Sequence, residues 1–272
     1  MCSRERRLLD EIVAIRFDRP MKSGRTAPLL VACERTDGQL VEVVAKFAGG
    51  KQLGPLGLMR EGLCAMLAKD LGLPVPECLV VRIDTDFIAS IASSAPEVAA
   101  TLRASVALGF GSAKLPPGFS AWMPDRRIPK AMRASAAEIF AFDLLVQNSD
   151  RRPENPNLQS RGDQFAIFDH ELALMIDGVL FWRPPWEPGS LEAAARPDKH
   201  VLRRELQGTE PDLTRLVGAW EAINDQRLAE YRAALPPEWA VPPEAADAAI
   251  AFLRDLRDHV QPAVHEVLRV LK

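Results

Sequence analysis

The stretch from Ala134 to Glu171 constrains this chain more than any other, because helix, polar loop, short strand and acid follow in fixed order. Ile139, Phe142, Leu145 and Val146 recur at helical spacing behind Ser135, which predicts a helix over 134–147. The loop Asn148-Ser149-Asp150-Arg151-Arg152-Pro153-Glu154-Asn155-Pro156-Asn157 follows at once. Gln164 to Phe168 then reads as a strand that delivers Asp169, His170 and Glu171. Asn, Ser, Asp and Pro are turn formers, and a surface loop could collect them without chemistry. Their order argues otherwise. An acid, an amide five residues on and a second acid after a strand can position a hydroxyl nucleophile and hold magnesium on a nucleoside triphosphate. Asp150 is the candidate base, and Asn155 and Asp169 are hard oxygen donors to a metal.

If one half of the chain holds base and metal, the other should hold nucleotide. Lys46 ends the apolar strand Val43-Val44-Ala45-Lys46-Phe47, where its ammonium can reach phosphates. Glu61, in the first turn of the next predicted helix, is its candidate partner. A strand-end lysine reaching water and a first-turn Glu favoured by the helix dipole would look the same singly. Lys22, Ser23 and Gly24, with Arg25 and Thr26, occupy the loop where a phosphate-covering segment would lie. One glycine matches neither G-x-G-x-x-G nor a Walker A sequence, although backbone N–H groups around Gly24 suit phosphate oxygens. Ser23 and Thr26, expected to be exposed there, are candidate autophosphorylation sites.

Elsewhere the first half predicts strands over 11–17, 29–34, 40–47 and 79–83, with Asp37-Gly38 as a turn. Gly54-Pro55 reads as a break. An apolar helical stripe from Met59 to Leu71 is closed by Gly72 and by Pro74 and Pro76. The Ala/Ser-rich stretch 85–105 suggests one short helix, and 109–115 a strand linking two halves. Pro116-Pro117-Gly118 marks a boundary, giving an N-terminal lobe over residues 1–116 and a helical lobe over residues 117–272. Helices are expected over 191–206, with an interruption near Pro197, over 213–235 and over 244–271, the last breaking at Pro262.

Thirty-four Lys and Arg against 37 Asp and Glu leave a net charge of −3, so no whole-chain basic field points to nucleic acid. Arg126, Arg127, Lys130 and Arg133 form a local basic cluster, the usual mark of a solvated face. Cys2, Cys33, Cys64 and Cys78 lack metal-ligand spacing and fit a reducing, cytoplasmic setting. No stretch of about 18 apolar residues predicts a membrane span. The four histidines share no ligand spacing; His200, His259 and His265 read as surface or packing residues, and His170 stands beside Asp169. Phe181-Trp182-Arg183-Pro184-Pro185-Trp186 is either a substrate-facing segment or a rigid loop packing two indoles.

The runs Phe142-Asp143-Leu144-Leu145-Val146-Gln147-Asn148-Ser149-Asp150-Arg151-Arg152-Pro153-Glu154-Asn155-Pro156-Asn157-Leu158 and Phe168-Asp169-His170-Glu171 resemble the HipA-like kinases. So does Arg60-Glu61-Gly62-Leu63-Cys64 with its Gly72-Leu73-Pro74-Val75-Pro76 exit. The chain is most similar to the shorter group without the N-terminal subdomain of full-length HipA. The resemblance implies an α+β, two-lobed protein-kinase-like fold, with a small β-rich N-lobe and a larger helical C-lobe. It implies ATP and Mg²⁺ as cofactors and Ser/Thr phosphorylation of a protein substrate. Asp150 would then be the base, Asn155 and Asp169 metal ligands, and Lys46 a phosphate contact. Where full-length HipA has His two residues after the base, this chain has Arg152. Some members are toxins with a DNA-binding antitoxin partner, for which no residue of this chain speaks. Two alternatives share the residues: an aminoglycoside- or choline-kinase-type phosphotransferase, disfavoured by Asn148-Ser149-Asp150 in place of His-Gly-Asp, and a catalytically silent kinase-like binding module.

Overall fold

The structure is a computed structural model that describes residues 8–21, 26–49, 53–176 and 181–272. It divides into two compact units, one of Met1–Met66, Pro76–Leu115 and Glu230–Ala246, the other of Leu67–Val75, Pro116–Ala229 and Asp247–Lys272. The first is rich in sheet and the second in helix.

Five strands of the first unit close into a barrel, in the order β1 (Asp10–Pro20), β2 (Leu29–Glu34), β3 (Leu40–Lys46), β5 (Leu108–Ala113), β4 (Cys78–Arg82). Closure comes from β1, which pairs antiparallel with β2 along one edge and parallel with β4 along the other. Two register shifts in β1, at 14/16 and 17/19, give the bend such a strand needs. Ile12, Ala14, Val31, Cys33, Val43, Leu79 and Val81 belong to a core completed by Phe87, Ile91, Ala99 and Leu102. The last four come from α2 (Thr85–Ile91) and α3 (Pro96–Arg103). Asp84 caps α2 by accepting the Phe87 N–H at 2.7 Å, and Pro96 opens α3, so 85–105 holds two helices where one was expected. The expected linker strand 109–115 is instead β5, a full member of the barrel. Burial pushes the Cys33 thiol up to about 12, leaving it inert.

Helix α1 (Gly54–Asp70) starts earlier than its stripe predicted. Pro55 opens it rather than breaking the chain, because a first-turn residue needs no intrahelical donor. Gly72, at φ +70°, ends it: Leu73 N–H bonds Ala68 C=O at 2.8 Å and Gly72 N–H bonds Lys69 C=O at 3.0 Å.

In the second unit, β6 (Ser120–Ala121), β7 (Leu158–Arg161) and β8 (Gln164–Ile167) form a small sheet, with Gly162-Asp163 turning β7 into β8. Helix α4 (Arg133–Leu145) is buried almost all round. The remaining helices are shorter than expected. The stretch 191–206 is mostly turns ending in α5 (Arg203–Leu206), and 213–235 splits into α6 (Thr214–Glu221) and α7 (Asp225–Ala234) at Asn224, whose Oδ1 caps Arg227 N–H at 2.8 Å. The last pair, α8 (Pro243–Asp258) and α9 (Val260–Leu271), breaks at His259; Pro262 falls in the first turn of α9, where its missing N–H is harmless. Trp182 and Trp186 pack against Phe252, and Trp186 also stacks on His259 at 4.9 Å, so this stretch packs its indoles. Among the described residues, no helix is long and apolar enough to cross a membrane.

Candidate active site

The loop that carries Asp150 is launched by the end of α4. Asn148 N–H bonds Asp143 C=O at 2.8 Å and Gln147 N–H bonds Leu144 C=O at 3.3 Å, with Gln147 left-handed at φ +55°. This is the helix stop that glycine usually makes, and a side chain there costs about 1 kcal/mol. Gln147 offsets that by accepting the Trp182 indole N–H at 2.6 Å. Asn148 then serves both sides of the turn: its Nδ2 donates to Asp143 Oδ1 at 2.8 Å and its Oδ1 accepts Asp150 N–H at 3.1 Å.

Asp150 is only 8% exposed, and both its oxygens are occupied. Oδ2 accepts from Asn155 Nδ2 at 2.7 Å and Asn157 Nδ2 at 3.0 Å, and Oδ1 lies 3.3 Å from Arg152 Nη2. Two amides therefore fix the carboxylate while a guanidinium faces its other oxygen. Asn155 gives its Nδ2 to Asp150, which leaves Oδ1 as the atom it can offer a cation. A backbone bridge between Arg152 and Asn155, 3.1 Å in each direction, holds the two ends of this turn.

Beneath the loop lies a charge network that sequence reading missed. Arg151, wholly buried, grips Asp143 with Nε to Oδ2 at 2.5 Å and Nη2 to Oδ1 at 3.2 Å. His200 lies 3.1 Å from the same Oδ2. Its Nδ1 accepts Leu202 N–H at 3.1 Å, so its proton sits on Nε2 and is donated to Asp143. Burial would raise the Asp143 carboxyl, but Arg151 and His200 hold it well below the usual carboxylate range. The same burial pushes His200 below the ordinary imidazole range in spite of its acidic partner. His200 is thus a neutral donor in the interior, neither a surface nor a mere packing residue.

Arg151 reaches further. Its Nη1 donates to the carbonyls of Asn157 and Phe168, the latter at 3.3 Å, and its Nη2 donates to His170 Nε2 at 3.1 Å. Because a guanidinium cannot accept, His170 carries its proton on Nδ1. Asp169, between these two anchored residues, is left-handed at φ +65°, and Asn157 at φ +43°. Asn and Asp tolerate that region best, and such backbone strain concentrates at working sites.

In the first unit Lys46 and Glu61 form a buried ion pair, their side chains 8% and 1% exposed. The expected pairing is present, and Glu61 sits inside the unit rather than on a solvated first turn. The structure thus joins Lys46 to Glu61 and Asp150 to Asn155, and anchors both neighbours of Asp169. Lys22, Ser23 and Gly24 lie outside the described residues. Thr26 is 8% exposed, so it is not the accessible hydroxyl that an autophosphorylation site on this loop was expected to offer. The one sequence signal for the hidden network was an ionisable Asp143 inside the apolar run of α4; nothing local marked His200.

The family described as HipA-like kinase matches residues 12–184. The chain belongs to that family, as its segments 142–158 and 168–171 suggested. Among curated proteins none matches. The crystal structure of a Helicobacter pylori proinflammatory kinase, CtkA, is similar over 96% of this chain and 99% of that one, at 12% sequence identity and a TM-score of 0.52. At that identity the likeness speaks for the fold.

Proposed function

We propose that this HipA-like kinase transfers the γ-phosphoryl group of ATP, with Mg²⁺, to a Ser or Thr hydroxyl of a protein, on a two-lobed protein-kinase-like fold with lobes 1–116 and 117–272. The observation that carries the reading is the 2.7 Å bond from Asn155 Nδ2 to Asp150 Oδ2, which joins the base candidate to the amide five residues on. Asp150, held from two sides, accepts the hydroxyl proton. Asn155 Oδ1 and the Asp169 carboxylate are the hard donors that would hold Mg²⁺, the ion that neutralises phosphate charge in such reactions. Lys46, steadied by Glu61, contacts ATP phosphates, with Lys22, Ser23 and Gly24 as the covering loop. An antitoxin-like partner is not needed for this chemistry. A cytoplasmic setting suits both ATP supply and reduced Cys33 and Cys64.

Radiolabelled ATP incubated with the protein, Mg²⁺ and a cell lysate tests the acceptor class. Label entering a protein band with wild type and not with Asp150→Ala supports the proposal. Label confined to small molecules would favour the aminoglycoside-type alternative, and ATP binding with no transfer would favour a silent module.

A further inference from the structure

Asp150 and Asp169 stand on different segments, a loop after α4 and a turn after β8, and phosphoryl transfer needs them in one fixed register. Within the second unit, a backbone bond from Phe168 N–H to Asn157 C=O at 3.3 Å joins the two segments, and the Arg151 side chain touches both. Arg151 directly follows Asp150, and its Nη1 donates to Asn157 C=O inside the loop and to Phe168 C=O one residue before Asp169. Its Nη2 holds His170, one residue after. The rest of the guanidinium is fixed by the bidentate grip on Asp143. Asp143 is in turn set by His200, and Val201 N–H bonds Arg151 C=O at 2.9 Å. The turn at His200-Val201 thereby holds the backbone of the arginine directly and its side chain through Asp143.

We infer that Arg151 is a positioning residue for the reaction: one buried guanidinium, aimed by Asp143 and His200, locks the loop of Asp150 to the turn of Asp169. This rests on the phosphotransfer reading above, and it explains why an arginine, with five donors in a rigid fork, stands where a lysine would satisfy charge alone. The arginine donates to five acceptors at once: both oxygens of Asp143, two carbonyls and the His170 ring. A lysine at 151 keeps a cation against Asp143 but cannot span that set.

Arg151→Lys is the first test, because removing the charge outright would strand buried Asp143 and could unfold the protein. His200→Gln keeps an N–H donor for Asp143 and His200→Leu removes it. In Arg151→Lys and His200→Leu, kcat should fall about ten- to a hundredfold, as supporting contacts to such sites typically show. The KM for ATP should stay within about twofold and the Mg²⁺ needed for half-maximal rate should rise. His200→Gln should recover most of the loss. Hydrogen exchange followed in parallel is independent of turnover: segments 148–157 and 168–173 should lose protection together in His200→Leu. Loss confined to 199–202, or equal impairment of Gln and Leu variants, would overturn the inference. Asp150→Asn measured beside them separates the two ideas. If it turns over ATP like wild type, the phosphotransfer assignment fails, and the exchange result alone then decides whether Arg151 joins the segments.

Discussion

Gly109 is where the barrel and the nucleotide side of the proposal meet. A Cβ built there would lie 2.5 Å from the carbonyl oxygen of Lys46 and 2.6 Å from the Phe47 ring, so Gly109→Ala presses on the backbone that carries the lysine. Restoring ordinary contact needs a displacement of about 1 Å. In a closed barrel, where β5 is paired on both sides, neither strand can give way alone. Overpacking of this kind costs about 1–3 kcal/mol. Gly111 is the control: its Cβ would press on side-chain atoms, Val43 Cγ1 and Val81 Cγ2, both at 2.6 Å. Trimming Val43 and Val81 to Ala should therefore relieve much of the strain in Gly111→Ala, whereas Phe47→Ala cannot relieve Gly109→Ala, because the carbonyl remains. Urea unfolding of these variants measures this, with ATP titration of Gly109→Ala reporting weaker nucleotide binding. A Gly109→Ala protein within about 0.5 kcal/mol of wild type, or one rescued fully by Phe47→Ala, would refute the reasoning.

Other expectations are simpler. Ala240 is exposed and left-handed at φ +50°, so Ala240→Gly should stabilise by about 1 kcal/mol in the same unfolding assay; a loss of stability would contradict the strain argument. The Asp143 carboxyl is depressed in the fold, so its contribution is complete above the unfolded value of about 4 and is lost as pH falls from there toward its native value. Asp143→Asn should be less stable at neutral pH and show a flatter decline below about pH 4; parallel curves for both proteins would count against it. Lys46→Met and Glu61→Gln should couple by about 1–3 kcal/mol in a double-mutant cycle, and strict additivity would mean their contact contributes nothing.

How much of this the chain announces depends on how local the cause is. Apolar runs bounded by turns marked β1 to β4, and Gly72 with Leu73 stopped α1 where a glycine stop is expected. The parallel pairing of β1 with β4 is set by residues some 69 positions apart, and no local pattern encodes it. The two-residue β6 and the four-residue β7 are too short for periodicity to register. The 191–206 stretch has helical composition, yet Pro197 and the docking of His200 and Val201 on the α4–loop corner leave turns instead. At the candidate site, residues whose type and spacing suit the proposed chemistry stood out: Asp150, Asn155, Asp169 and Lys46 with Glu61. Asp143, Arg151, Asn157 and His200 act by holding others, and such roles become visible only when distant segments are brought together.

Single-turnover phosphoryl transfer from ATP in the presence of Mg²⁺, compared among wild type, Asp150→Asn and Asp169→Asn, tests the assignment of these side chains most directly. Both variants should remain folded and lose about two orders of magnitude or more in rate, given what bases and metal ligands supply. Rates equal to wild type in both would show that neither acid takes part in the reaction.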